Sequence, residues 1–223
     1  AKLHIIKDIL RGLDTGFLLG PISVHDPRAT SIIWSPVGTV PKDFNKLRLI
    51  HDLSHHANDN SVNSLIDSKY TYVSYIQTQE VVKFIHSLGP GALFWVADMH
   101  DAYRRVPIQP KYRRFLGIQW ENQLVLSACL PFGLSTSCQI YSTFAEGIRQ
   151  IAIHTHKKQF LWHNQILLFN YLDDFFGGHP NPIIAHQQFR AFLQLITELG
   201  IPTQNRKCAL PATTQKILGF LYD

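Results

Sequence analysis

The order of apolar and polar positions divides the chain into short strands and longer helices. Residues 18–60 carry short β-branched runs between Pro, Gly, Asn and Asp, a pattern that predicts hairpins and loops. The segment TQEVVKFIHSLGP has helical spacing, with Thr78 as its cap and Gly89 and Pro90 at its end. The apolar run GALFWVAD then predicts a buried strand that places Asp98 at its C-terminal end.

Two hairpins with a helix between them are predicted next. RRFLGIQW pairs with NQLVLSACL across a turn near Glu121 and Asn122, and ILLFNYL pairs with FFGG across a tip that contains Asp173 and Asp174. Between the hairpins, CQIYSTFAEGIRQI has apolar residues at helical spacing. These residues are Ile140, Phe144, Ile148 and Ile151.

The C-terminal part of the chain predicts one more helix and one more strand. PIIAHQQFRAFLQLITELG is an amphipathic helix ended by Gly200 and Pro202, and KILGFLYD is typical of a strand. Strands and helices thus interleave with antiparallel hairpins. The predicted class is α+β, a sheet with helices on one face plus a β-rich N-terminal lobe.

The composition is that of a folded, basic protein. With 45% hydrophobic and 17% charged residues among 223, the chain is not of the disordered class. A formal charge of +5 favours a polyanionic partner. Three cysteines are too few for a disulfide scaffold and favour a reducing intracellular compartment, cytoplasm or nucleus. No apolar run approaches the ~20 residues of a membrane span, so no membrane partner is expected.

Aspartates end two of the predicted apolar strands. Asp98 is followed at a spacing of three by Asp101, and Asp173 and Asp174 are adjacent. An Asp-Asp pair alone is also typical of a solvated hairpin tip. Two strands that both deliver carboxylates to the end of a sheet instead favour a site for a pair of Mg²⁺ ions, which prefer oxygen ligands.

Six segments, in their order along the chain, resemble the motifs of reverse transcriptases. They are the fingers segment SPVGTVPKDFNKLRLIHDLS, the first aspartate motif FWVADMHDAYRRVPI, the Leu-Pro-x-Gly motif LPFGLSTSCQIY, the Tyr-x-Asp-Asp hairpin NYLDDFF, the Gly-Ile…Lys loop ELGIPTQNRKCALP and the primer-grip strand KILGFLYD. The resemblance spans roughly residues 35–223 and comes closest to DIRS-type retrotransposons, which use a tyrosine recombinase.

The resemblance implies a right-hand polymerase fold. Residues 1–90 would form an N-terminal extension and part of the fingers, 91–112 the palm, 113–130 a hairpin segment of fingers and palm, and 131–223 the palm up to the primer-grip strand. No thumb, RNase H or recombinase segment is recognised. These regions are expected in a full-length polyprotein.

The resemblance also implies RNA-directed DNA synthesis, with extension of a primer 3′-OH on an RNA or DNA template by deoxynucleoside triphosphates (dNTPs). Asp98 and Asp173 would ligate two Mg²⁺ ions, which Mn²⁺ can replace, with Asp174 and the Met99 carbonyl as further oxygen ligands. Lys207 matches the lysine proposed as general acid to the leaving pyrophosphate. Ordinary surface exposure is the alternative for this lysine.

Further residues match positions around the nucleotide and primer. Tyr103 matches the aromatic gate that excludes a ribose 2′-OH, and Phe132 stands where retroviral enzymes carry glutamine. Cys138 replaces a usual proline, and Leu47 a usual tryptophan. The residues assigned to nucleotide binding are Lys42, Lys46, Arg48, Asp101, Ala102, Tyr103, Phe132 and Gly133, and those assigned to primer and template are Tyr171, Leu218, Gly219 and Phe220.

Other signals stay open. His51, His55 and His56 have a spacing that a zinc site can use, but no cysteine lies nearby. The basic residues of 104–105 and 111–114 fit either phosphate contacts or a solvated surface. Two other functions share the palm pattern, an RNA-dependent RNA polymerase and an inactive palm that serves as a nucleic-acid or protein-binding scaffold.

Overall fold

The structure is a computed structural model that describes residues 2–43, 46–55, 60–160 and 168–223. Its α-helices in these ranges are α1 (Lys2–Asp14), α2 (Thr78–Leu88), α3 (Pro110–Arg113), α4 (Ser137–Phe160) and α5 (Pro182–Glu198). Its strands there are β1 (Leu18–Ser23), β2 (Trp34–Ser35), β3 (Val37–Asp43), β4 (Lys46–His51), β5 (Leu93–Asp98), β6 (Gly117–Trp120), β7 (Gln123–Ser127), β8 (Leu168–Tyr171), β9 (Asp174–His179), β10 (Ala209–Ala212), β11 (Gln215–Ile217) and β12 (Phe220–Tyr222).

The chain forms two compact units. Unit 1 comprises Ala1–Tyr72 and Tyr103–Ile140, and unit 2 comprises Val73–Ala102 and Tyr141–Asp223. The predicted segments instead met at residues 90, 112 and 130. Their assignment to fingers and palm stays a prediction.

Unit 1 is built on a four-stranded sheet in the order β1-β7-β6-β2, with β3 and β4 as a separate hairpin. Strands β6 and β7 form the predicted hairpin, which turns at Glu121 with a φ of 54°. Helix α1, for which the sequence predicted no element, packs through Ile5 and Ile9 on a core with Leu18 and Leu49. The i, i+4 spacing of the two isoleucines places them on the same helical face.

Unit 2 is built on an antiparallel sheet in the order β10-β5-β9-β8. The Phe94 ring of β5 contacts Phe84 of α2, with 6.1 Å between the ring centroids. The next residue, Trp95, contacts Phe189 and Phe192 of α5 at 5.8 and 5.4 Å. Since neighbouring residues of a strand point to opposite faces, the sheet carries helices against both faces, where the sequence predicted one.

Most predicted elements are confirmed, with three local corrections. Helix α2 is capped by Gln77 rather than Thr78, and the Gln77 N–H donates to the Glu80 carboxylate at 2.8 Å. KILGFLYD forms the hairpin β11–β12 instead of one strand. On α4, Ile148 is buried, but Ile140 and Ile151 are exposed.

None of the helices in the described ranges combines the length and hydropathy that a membrane span requires.

Candidate active site

The ends of β5 and β9 bring together the predicted carboxylates of unit 2. Asp98 and Asp174 are direct cross-strand partners, so their side chains start from neighbouring positions on one face of the sheet. Asp173 lies at the tip of the β8–β9 hairpin, where its carbonyl accepts a hydrogen bond from the Met99 N–H at 2.9 Å. Three aspartates predicted from separate motifs thus lie at one end of the sheet.

Lys207 reaches the same carboxylates from a loop that precedes β10. Its ammonium donates to Asp98 Oδ2 at 2.6 Å. The loop is fastened to the end of β5 because the Gln204 N–H donates to the Asp98 carbonyl at 2.8 Å and the His100 N–H to the Pro202 carbonyl at 2.9 Å. Backbone hydrogen bonds therefore place Lys207 beside Asp98, in addition to the attraction between the two side-chain charges.

The three aspartates repel one another, and burial further disfavours their charged forms. Burial, followed by the charges of Asp173 and Asp98, raises the pKa of Asp174 to about 7, although Lys207 opposes the rise. Burial and the three aspartates likewise raise the pKa of the Tyr141 hydroxyl. Burial opposes the charged form of Lys207, but the ion pair with Asp98 and the other carboxylates outweigh it, and the pKa of the lysine is raised. A further cation would relieve this repulsion.

The donor atoms of the cluster suit a hard divalent cation. Carboxylate and carbonyl oxygens are the ligands that Mg²⁺ and Mn²⁺ prefer. The Met99 N–H is bonded to the Asp173 carbonyl, so the main chain of Met99 lies beside the aspartates. Among the described residues, no group of three His, Cys, Asp or Glu side chains is arranged as a set of metal ligands. The positive charge beside Asp98 is that of the Lys207 ammonium.

A cavity of about 480 Å³ in unit 2 adjoins the carboxylates. Its walls contain three of the residues predicted to contact primer, together with Asp174 and a segment that the sequence did not single out. The lining residues are Tyr75, Ile76, Gln77, Thr78, Tyr171, Asp174, Leu218 and Gly219. The rings of Tyr75 and Tyr171 contact each other, with centroids 4.8 Å apart. Phe220, predicted beside this group, is exposed.

In unit 1, three of the residues predicted to bind nucleotide form a contact series, Arg48–Phe132–Tyr103. The guanidinium of Arg48 lies 4.7 Å from the centroid of the Phe132 ring. The Phe132 ring also contacts the Tyr103 ring, at 5.1 Å between centroids. The Tyr103 hydroxyl and the Cys138 thiol, 2.9 Å apart, share a hydrogen bond in which either group can donate. The positions of Arg48 and Tyr103 are thus linked through an aromatic ring.

The loop that carries Phe132 and Gly133 is held by residues of the β4 end. The His51 N–H donates to the Phe132 carbonyl at 2.9 Å. A Cβ on Gly133 would collide with the His51 carbonyl, and the φ of Gly133 is 113°, which is a packing reason for glycine there. Asn63 donates to the Gly133 carbonyl at 2.8 Å and accepts from the Ser135 N–H at 2.9 Å. The sequence analysis missed this asparagine, and its local pattern carries no signal for the contact.

The remaining residues predicted to bind nucleotide are Asp101, Ala102, Lys42 and Lys46. The Asp101 carboxylate is 3.2 Å from the His100 ring, and Ala102 is buried. The side chains of Lys42 and Lys46 lie outside the described part.

The zinc alternative receives no support from the described histidines. The His51 ring lies 3.0 Å from the Gly117 carbonyl, and His55 lies 3.8 Å from Asp52. His56 is outside the described residues.

The basic residues divide into structural and exposed ones. Arg104 and Arg105 lie 6.0 and 5.7 Å from the Phe17 ring centroid, and Arg113 donates to the Ile108 carbonyl at 2.8 Å. Lys111 and Arg114 lie over the rings of their sequence neighbours Tyr112 and Phe115, at 4.7 and 4.8 Å, but unlike the three half-buried arginines they are exposed. These last two are the better candidates for contact with a polyanion.

Comparison with known proteins gives a family match and several structural matches. The family model described as reverse transcriptase (RNA-dependent DNA polymerase) matches residues 39–222. The foamy viral protease-reverse transcriptase dRH in complex with ds DNA has a TM-score of 0.73 and 19% identity, over 99% of this chain and 33% of that one. The native prototype foamy virus protease-reverse transcriptase has a TM-score of 0.69 and 20% identity, over 99% and 25% of the two chains.

A third structure, the foamy viral enzyme in complex with an RNA/DNA hybrid, has a TM-score of 0.66 and 19% identity, over 97% of this chain and 25% of that one. No curated protein matches the chain significantly. The chain spans a quarter to a third of the length of these solved structures. Their similarity confirms the predicted α+β fingers–palm fold.

Proposed function

Because the chain belongs to the reverse transcriptase (RNA-dependent DNA polymerase) family, we propose that it is the catalytic part of a longer polymerase that copies RNA or DNA templates. It would extend a primer 3′-OH with dNTPs and release pyrophosphate. The observation that carries the proposal is the meeting of Asp98, Asp173 and Asp174 at one sheet end, with Lys207 bonded to Asp98.

The carboxylates of unit 2 would hold the metal ions of the reaction. Asp98 and Asp173, with Asp174 and the Met99 carbonyl, are the proposed ligands of two Mg²⁺ or Mn²⁺ ions, which supply the positive charge that favours attack on the α-phosphorus and departure of pyrophosphate. Lys207 is the proposed donor of a proton to pyrophosphate, because its ammonium lies among these carboxylates and is bonded to Asp98 at 2.6 Å.

The aromatic stack of unit 1 would contact the incoming nucleotide. Arg48 offers a guanidinium fork suited to phosphate, and Phe132 offers a packing surface rather than a hydrogen bond. Tyr103 is the proposed gate against a ribose 2′-OH. The same role in nucleotide binding is proposed for Lys42, Lys46, Asp101, Ala102 and Gly133.

The cavity of unit 2 would take the end of the primer. Tyr171, Leu218 and Gly219 line it beside Asp174, and Phe220 follows in the same turn. Its volume of about 480 Å³ lies within the usual range for small-molecule sites, roughly 300–1,000 Å³, and a terminal nucleoside is a ligand of that size.

Three free cysteines further support a reducing compartment, cytoplasm or nucleus.

Primer extension tests the proposal. The chain is incubated with an RNA template, a DNA primer, dNTPs and Mg²⁺, beside Asp173→Asn and the control Asp14→Asn, which changes an exposed aspartate at the end of α1. We expect extension by the wild type and the control, and a loss of at least about 1,000-fold in Asp173→Asn, as for the removal of a central catalytic group.

A second readout, independent of turnover, is the thermal midpoint with and without Mg²⁺. Ions that bind the folded chain raise its Tm, and the rise should disappear in Asp173→Asn but persist in Asp14→Asn.

Extension by Asp173→Asn would overturn the assignment of the metal site. Binding of nucleic acid by the wild type that is indifferent to Mg²⁺, without extension, would indicate an inactive scaffold. Ribonucleotide incorporation in preference to dNTPs would indicate an RNA polymerase.

A further inference from the structure

Cys138 makes a contact that the family pattern does not anticipate. It occupies the second position of α4, where proline is usual, and its thiol shares the 2.9 Å hydrogen bond with the Tyr103 hydroxyl. Proline has no polar side-chain atom and offers no such bond. The contact joins two residues 35 positions apart in sequence, so it depends on how the start of α4 packs in unit 1.

The start of α4 is itself firmly held. The Ser137 N–H donates to the Leu134 carbonyl at 3.0 Å, and the Ser137 hydroxyl donates to the Pro131 carbonyl at 2.9 Å, in a buried position. Cys138 follows directly, so the backbone fixes the point from which its side chain departs. A hydrogen-bonding group on a fixed backbone can restrict the rotation of its partner's ring.

Tyr103 is therefore restrained at two places. The Phe132 ring packs against its face, with centroids 5.1 Å apart, and Cys138 bonds its hydroxyl at the far end of the ring. A gate that rejects a 2′-OH by steric contact works only while its ring stays in place. A ring that turns aside leaves room for the extra hydroxyl, and the discrimination falls.

We propose that Cys138 is a positioning residue for sugar selection, which holds the Tyr103 ring in the orientation that excludes ribonucleotides. The inference rests on the proposed function, in which Tyr103 contacts the sugar of the incoming nucleotide. It adds to that function a residue that acts through another and does not touch the substrate.

The test is the ratio of the single-nucleotide incorporation efficiencies for dTTP and UTP, measured on one primer–template. The variants are Cys138→Ala, which removes the bond, Cys138→Ser, which retains a hydroxyl in place of the thiol, and Tyr103→Val, which removes the gate. Cys129→Ala is the matched control, because Cys129 is a cysteine of unit 1 whose thiol donates to the Phe17 carbonyl at 3.6 Å. The same ratio is taken from equilibrium binding of dTTP and UTP to complexes with a dideoxy-terminated primer.

We expect Cys138→Ala to lower the dTTP:UTP ratio roughly fivefold, the change that corresponds to one ordinary hydrogen bond. Cys138→Ser and Cys129→Ala should stay within about twofold of the wild type. A general loss of folding would lower both efficiencies together and leave their ratio unchanged, so the ratio separates positioning from stability.

The possible outcomes test the role of Cys138 separately from the proposed role of Tyr103 and from the proposed polymerase function. A ratio that falls in Tyr103→Val but not in Cys138→Ala would overturn the inference and leave the gate intact. A ratio that stays unchanged in Tyr103→Val would overturn the assignment of Tyr103 as the gate. A chain that binds neither nucleotide in the primer complex would overturn the proposed polymerase function.

Discussion

His51 shows how a residue with a plausible chemical role can serve packing instead. It is 3% exposed, and its Nε2 lies 3.0 Å from the Gly117 carbonyl. Because a carbonyl only accepts, Nε2 carries the hydrogen and donates it. The His51 main chain meanwhile supports the loop of Phe132 and Gly133. The residue that opened the zinc alternative is thus part of the scaffold of unit 1.

The neutral state of His51 predicts a pH dependence of stability. Burial, opposed by the bond to Gly117, lowers its pKa from 6.5 to about 4. The unfolded chain therefore binds a proton below pH 6.5 that the folded chain refuses until about pH 4, so the contribution of His51 to stability falls as the pH falls through this window. Asp174, whose pKa is raised to about 7, acts in the opposite direction over the same window. The effect of His51 is therefore measured in denaturant unfolding as the difference between the wild type and His51→Gln, and should reach roughly 3 kcal/mol.

His51→Gln, whose amide can still donate to the Gly117 carbonyl, should lose less stability over the same window. His25→Gln, at an exposed histidine of the same unit, should behave as the wild type. An identical pH slope in the wild type and in His51→Gln would show that His51 does not carry the effect.

At the scale of elements, close packing around β9 requires a glycine at position 178. Gly178 is the cross-strand partner of Phe94, and a Cβ there would lie 2.7 Å from the Leu93 carbonyl oxygen, 2.8 Å from the Phe94 ring and 3.3 Å from Leu88 of α2. The absence of a side chain thus allows the close approach of β5, and it leaves room for α2 on this face of the sheet. By contrast, Gly147 of α4 is exposed, and a Cβ there would meet nothing within 4 Å.

Alanine at these two glycines should have opposite effects. Gly178→Ala forces the β5 main chain at Leu93 and the Phe94 ring to move and should lower the free energy of unfolding by about 1–3 kcal/mol. Gly147→Ala adds a better helix former without a clash and should raise it by about 0.5–1 kcal/mol. Denaturant unfolding of the two variants measures both. A neutral Gly178→Ala would mean that the sheet and α2 adapt without cost.

The elements that the sequence predicted well are those with clear periodicity and clear ends. Helix α2 has an apolar stripe and a glycine stop, and both central hairpins have apolar strands around a polar turn. Helix α1 was missed although Ile5, Ile9 and Leu13 lie on one helical face, because Leu3 and Leu10, which are 65% and 59% exposed, stand outside that stripe and obscure the helical period. The β11–β12 turn was missed because Leu218 takes a positive φ of 51° before Gly219, where such turns favour Asn or Gly.

The candidate site was predictable only where motifs name the residue. The three aspartates and Lys207 followed from their motifs, and the structure adds why they meet, through the register of β5 and β9 and the loop before β10. Contacts between distant segments, such as those of Asn63 with the loop of Gly133, arise from packing and leave no local pattern.

For the whole molecule, the net charge of +5 is a weak indicator of a nucleic-acid partner until individual charges are separated. Arg104, Arg105 and Arg113 are half-buried, beside Phe17 and the Ile108 carbonyl. Two exposed basic residues of the same segment, Lys111 and Arg114, have side chains that can reach phosphate. Each phosphate contact releases counterions, so it contributes to the salt dependence of binding as well as to affinity.

The double variant Lys111→Ala/Arg114→Ala therefore separates local contact from overall charge. Its control is Lys7→Ala/Lys83→Ala, which removes two positive charges at exposed positions of α1 and α2. In titrations of an RNA/DNA duplex across salt concentrations, the slope of log K against log salt should become shallower by about 1–2 in the first variant, near 0.9 for each lost contact. The control should weaken binding slightly with its slope unchanged. Equal slopes in the two variants would mean that the basic segment attracts the duplex only through net charge.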